Sequence, residues 1–193
     1  MEEAFLTSLV AARAGADWAW SAIYRDLAPS VLRYLRARGA REPEELLGTV
    51  FVDVVRSLPR FEGGYAEFRT WVFTIAHHRL VDELRQRRRQ PCEPAAPEML
   101  AAAASCGDAE ADASLPFADE EVRRLLDGLS VDQRDVLLLR ILGDLSIAET
   151  ARVLGKRPGA VKSLQVRALA AVKRQLSAEA VTFVVAPTIA ETR

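Results

Sequence analysis

Two cysteines and two histidines are all that this chain of 193 residues offers in thiol and imidazole chemistry. Cys92 and Cys106 share no paired CxxC spacing, so neither a disulfide framework nor a cysteine-built metal site is expected. His77 and His78 are adjacent in a helical pattern, no nucleophile, base and orienting group recur at workable spacing, and there is no glycine-rich phosphate loop. Enzymatic chemistry, a resident metal and a cofactor are therefore not expected. No apolar run approaches the ~20 residues of a membrane-spanning helix. The start, MEEAFLTSLVAARAGADW, is acidic where a secretory leader would be basic. A cytoplasmic protein without membrane insertion is the expectation.

A surplus of either charge is missing too, since the net charge is −1, which argues against binding nucleic acid by charge alone. The distribution is uneven. Residues 1–90 carry 14 basic and 12 acidic side chains, residues 91–121 carry none and 8, and residues 122–193 carry 12 and 7. An acidic middle thus separates two basic ends.

What the chain does have is helical periodicity and helix punctuation. The stretch Ser146 to Leu176, SIAETARVLGKRPGAVKSLQVRALAAVKRQL, reads as two helices joined by a tight turn. Ser146 and Glu149 have the spacing of a capping box, Gly155 suits a left-handed helix end, and Pro158 suits the first position of the next helix. Ile147, Ala148, Ala151 and Leu154 share one face. Val161, Leu164, Ala168 and Val172 then recur inward, leaving Lys162, Ser163, Gln165, Arg167, Lys173 and Arg174 outward. Such a pattern fits a helix-turn-helix whose second helix enters the major groove; a helical hairpin with a solvated cationic face is the alternative.

Upstream, helices are expected over residues 3–14, from Trp18 to Leu27 behind an Asp17 cap, and from Pro29 to Gly39. Another runs from Pro43 to Pro59, where Leu46, Leu47, Val50, Phe51, Val54, Val55 and Leu58 keep a 3-4 rhythm. After a Gly63-Gly64 loop comes FRTWVFTIAHHRLVDELRQRRR, Phe68 to Arg89. Phe68, Trp71, Val72, Ile75 and Ala76 can cover one side, whereas Tyr65 and Phe73 fall outside that stripe. Aromatics beside arginines suit single-stranded nucleic acid, with bases stacking on rings; an aromatic core with a solvated last turn is the other reading. From Gln90 the composition turns to proline, alanine and acid, a flexible linker in which Met99 to Ala104 could form one helical turn. Asp119 then caps a helix carrying Val122, Leu125, Leu126 and Leu129, and Ser130 with Gln133 caps another that carries Val136, Leu137 and Ile141 and ends at Gly143. The apolar run Val181 to Ala186 reads as a docked or frayed terminus.

Taken in order, FRTWVFTIAHHRLVDELRQ, an acidic linker and LSVDQRDVLLLRILGDLSIAETARVLGKRPGAVKSLQVRALAAVKRQL resemble the bacterial sigma-70 family, specifically its extracytoplasmic-function (ECF) group. The resemblance implies an all-α fold of two small helical domains joined by a flexible acidic linker. Residues 1–90 would bind polymerase and recognise and melt the −10 element, 91–118 would be linker, 119–177 would read the −35 element, and 178–193 would be a tail. Core RNA polymerase, promoter DNA and an anti-sigma factor are the implied partners. Position by position, Glu44 to Leu58 resembles the polymerase-docking segment, with Glu45, Leu46, Phe51 and Asp53 as its contacts. Phe61 to Phe68 resembles the loop that captures a flipped −10 base, beside Tyr65 and Phe68. Trp71, His78, Arg79, Asp82 and Arg85 match the −10 helix, with His78 where Asn is usual; Arg157, Lys162, Ser163, Gln165 and Arg167 fall on the −35 reader.

Gly48 and Thr49 replace a usual Gln and acid, Arg157 replaces a capping Ser or Thr, and Leu164 and Leu169 replace usual arginines, which implies altered polymerase and −35 binding. The other readings are a stand-alone helix-turn-helix regulator and a sigma-like interaction module without promoter activity. Duplex binding without polymerase would mark the regulator.

Overall fold

A computed structural model describes residues 2–89 and 124–185, with side chains placed for 5–89 and 124–177. Every element among the described residues is helical: α1 (Glu2–Arg13), α2 (Asp17–Ala37), α3 (Pro43–Ser57), a 3-10 turn (Leu58–Arg60), α4 (Tyr65–Arg89), α5 (Val131–Ile141), α6 (Ile147–Leu154) and α7 (Pro158–Val185). The linker, the Asp119 cap and Met99 to Ala104 lie outside the described residues; a helical segment is visible from 124 to 127.

The punctuation works largely as its chemistry requires. Ser130 with Gln133 and Ser146 with Glu149 both close full capping boxes, each side chain satisfying a backbone N–H that the helix start leaves free. Gly155 ends α6 at φ +61°, a left-handed conformation that costs glycine little. Pro158 opens α7, and Pro43 opens α3.

Two expectations are corrected. The helices expected on either side of Ala28 are one, because Pro29 lies inside α2 on its exposed side, where the carbonyl deprived of a partner can bind water. Ile23, Leu27, Val31, Tyr34 and Leu35 then form a single buried stripe through the proline, and the cap position is Ala16. Gly143 follows α5, yet the left-handed residue there is Asp144 at φ +49°. Gly143 is required by space: a Cβ would sit 2.6 Å from the Leu139 carbonyl oxygen. The helical backbone of α7 runs on to Val185, through most of the apolar run read as a docked or frayed terminus.

Helix α2 packs against α1, α3 and α4, and α7 packs against α5 and α6. These two groups are not separate bodies. Helix α4 packs along α6, and α2 meets α5. One continuous buried cluster runs from Leu9 through Tyr34, Phe68 and Phe73 to Leu138, Leu145 and Val153.

Two glycine substitutions should move stability in opposite directions. Gly143→Ala forces the Leu139 carbonyl aside and should cost about 1–3 kcal/mol. Gly48→Ala, in an open, exposed helix interior, should add about 0.5–1 kcal/mol. Urea unfolding midpoints measure both.

Candidate nucleic-acid and partner interface

Helix α4 divides its residues by face. Phe68, Val72, Phe73, Ala76 and Leu80 have no exposed surface. Phe68 packs edge-on against Phe61 at 5.2 Å, and Phe73 meets Tyr34 edge-on at 5.8 Å. Phe73, which the sequence stripe left unplaced, is thus core. So is Phe68, which cannot offer a ring face to a base while this packing holds. Trp71 is half-buried and stacks on Phe61 at 5.0 Å and 28°. Tyr65 is half-buried against Phe5, and its hydroxyl donates to Asp26 at 2.8 Å. Burial first, and the Asp26 carboxylate with it, pushes the Tyr65 pKa upward, so it remains a phenol.

The opposite face carries His78, Arg79, Asp82 and Arg85, all exposed. Arg79 Nε donates to Asp53 of α3 at 2.5 Å, and Arg85 lies 3.8 Å from Asp82. One residue expected at the DNA and one expected at the polymerase are therefore partners of each other. The intervening His77 turns inward, with its Nδ1 2.8 Å from the Tyr34 hydroxyl. Burial is the main cause that lowers its pKa, and burial likewise raises that of Tyr34. A protonated phenol and a neutral imidazole therefore share this hydrogen bond. Next to this pair Arg38, at the end of α2, grips the Asp135 carboxylate on α5.

On α3, Glu45 is exposed, and a hydrogen bond with Glu42 raises its pKa. Leu46 is half-buried and Phe51 buried, its ring 4.7 Å from that of Tyr24. Val55, expected within the buried stripe, is 47% exposed, as is Val52. These valines, with Trp20, Tyr24, Phe51 and Arg56, line an apolar cleft of about 760 Å³ between α2 and α3. Val52, an apolar residue off the 3-4 rhythm, was the one sequence sign of it.

On α7 the expected reader is displayed. Lys162, Ser163 and Arg167 are exposed, Gln165 is half-buried, and Arg157 is exposed just before the helix, its carbonyl accepting from Ala160 and Val161. Arg167 Nε donates to the Ser163 carbonyl at 3.3 Å. Leu164 turns inward onto Val136, Ala151 and Val161, while Val166 and Leu169 are 61% and 49% exposed.

The profile described as "Sigma-70 region 2" matches residues 23–90, and that described as "Sigma-70, region 4" matches residues 119–172. The ECF RNA polymerase sigma factor ShbA of Streptomyces griseus is 36% identical over 150 residues, covering 73% of this chain and 78% of the relative. BldN, an ECF RNA polymerase sigma factor of Streptomyces coelicolor, is 31% identical over 171 residues, 88% of this chain and 64% of the relative. In fold, the chain is similar to CnrH, solved with the cytosolic domain of CnrY (TM-score 0.63, 21% identity, 89% of this chain and 96% of that one). It is also similar to the sigma factor RpoE of Bartonella quintana, solved with the anti-sigma factor NepR (TM-score 0.65, 19% identity, 82% and 96%). Among the described residues no helix is long and apolar enough to cross a membrane.

The His77 environment sets a sign for acid sensitivity. Its pKa is lowered in the fold, so below the ordinary value of about 6.5 the unfolded chain binds more protons and stability falls with pH. His77→Gln should flatten the decline between pH 7.5 and 5.5 in denaturant titrations; parallel curves for both proteins would contradict the assignment.

Proposed function

The chain belongs to the bacterial sigma-70 family, in its ECF group of RNA polymerase sigma factors, and from that footing we propose how its parts divide promoter recognition. Residues 1–90 bind core RNA polymerase and recognise and melt the −10 element. Residues 119–177 read the −35 element, and 91–118 join the two. The protein works in the cytoplasm and catalyses no reaction of its own; an anti-sigma factor is its expected regulator. The observation that carries the reading is one chain in which an exposed His78–Arg79–Asp82–Arg85 face precedes a capped helix-turn-helix displaying Lys162, Ser163 and Arg167.

At the −10 element, these α4 side chains follow the strand while the loop of Gly63, at φ +139°, and Gly64 receives an unstacked base beside Tyr65 and Trp71. Phe68 supports that loop from beneath, and Asp53 aims the Arg79 guanidinium. At the −35 element, each bidentate side-chain contact discriminates by only ~1–3 kcal/mol, and with Leu164 turned inward this chain has one reader fewer than its relatives' usual pattern. Neither half selects a promoter alone. Holding both on one polymerase makes the second contact intramolecular, and modest preferences then combine. Polymerase docks on α3 through Glu45 and Leu46 and along the cleft of Tyr24, Val52 and Val55, with Phe51 as its floor.

Added to core polymerase, the chain should give run-off transcripts from defined start sites. No transcript, together with tight duplex binding by the chain alone at physiological salt, would favour a stand-alone regulator. Val55→Asp should weaken core binding by about tenfold, ~1.4 kcal/mol, without altering duplex affinity. Lys162→Ala should weaken −35 duplex binding and lower the salt slope by about one.

A further inference from the structure

The outward side of α7 carries more than cations. At about 100° of turn per residue, Gly159, Ser163, Val166 and Ala170 fall along one line, opposite the buried Val161 and Ala168. All four are exposed. Lys162 and Lys173 flank this line on one side, and Arg167 and Arg174 flank it on the other. Cations so placed can reach phosphates on both strands while the line between them faces the floor of the groove. Hydrogen bonding along that line is sparse. Ser163 donates its hydroxyl proton to the Gly159 carbonyl at 3.0 Å, and Gln165 is half-buried and off the line. Val166, by contrast, is 61% exposed, with only the small Ser163 and Ala170 before and after it.

Resting on the sigma-factor reading, we propose that Val166 selects a thymine in the −35 duplex by packing its isopropyl group against the C5-methyl that thymine presents in the major groove. Apolar contact with that methyl lets a side chain without donors or acceptors tell an A·T pair from the others. The surroundings fit the task. Gly159 has open space where a Cβ would stand, and Ala170 is short, so neither holds the helix away from the groove floor. Folding leaves most of the valine in water, and its apolar surface is therefore available to a partner. Because a β-branched side chain in a helix keeps essentially one χ1 rotamer, the methyls are presented already fixed and little freedom is lost on contact.

The full chain, alone and with core polymerase, can select duplexes from a randomised pool. Each thymine in the −35 half of the enriched sequence is then replaced in turn by deoxyuridine, which removes only the methyl. At one position the replacement should weaken binding about three- to fourfold, the transfer value of one buried methyl. Val166→Ala should bind the thymine and uracil duplexes alike, and its fold is not at risk, since the site is exposed and alanine is the better helix former. Lys162→Ala, which removes a phosphate contact, should weaken both duplexes and keep the ratio between them. A −35 half without thymine, equal binding of thymine and uracil at every position, or a ratio that survives in Val166→Ala overturns the proposal and leaves the exposed valine to a protein contact. Enrichment of no sequence in either condition contradicts the sigma-factor reading itself, and the proposal with it.

Discussion

The pairing of Arg38 with Asp135 is the constraint on which the rest of the arrangement turns. Two opposite charges in a nearly dry setting can neither be left singly nor drift, because either one alone would face the desolvation cost without its counter-charge. Holding them together fixes the end of α2 against α5. That in turn places α6 along α4, with Arg69 facing Asp144. Tyr34 and His77 sit beside the pair, and their neutrality follows from the same burial.

Helix α4 serves two purposes because its faces are kept apart. Phe68 and Phe73 face inward and tie it to Phe61 and Tyr34, so the outward residues are displayed from a rigid rod. Rigidity matters for a reader of nucleic acid, since each contact is individually weak and any freedom left in the rod would dilute it. Helix α7 follows the same division, with Val161 and Ala168 buried and Lys162, Ser163 and Arg167 outward. Leu164 belongs to the inward set, which explains how an arginine can be absent there without leaving a hole in the fold.

Much of this was legible in the sequence wherever the determinant is local. The boxes at Ser130 and Ser146, the left-handed Gly155 and the openings at Pro43 and Pro158 each depend on residues within one turn, and they stand where spacing put them. Pro29 misled because tolerance of a proline depends on which side of the helix faces water, a tertiary matter. Val55 was placed inside because rhythm reveals an apolar stripe and not its edges, and the same limit hid the cleft lined by Tyr24 and Val52. Phe68 matched a DNA-facing position by resemblance, but only the surrounding rings reveal that it is walled in. Nothing in either segment alone linked Arg38 to Asp135, since a charge pair 97 residues apart carries no periodic signature.

That the Arg38–Asp135 pair fixes the end of α2 against α5 is the claim beneath the account, and a distance reports on it most directly. Spin labels at Arg33 and Arg152, both exposed and outside the reading faces, can be followed by pulsed electron resonance in a chain whose native cysteines are replaced. The account predicts one short, narrow separation in the native protein and a longer, broadened one when Asp135→Asn removes the counter-charge. The same short, narrow separation in both proteins would contradict it.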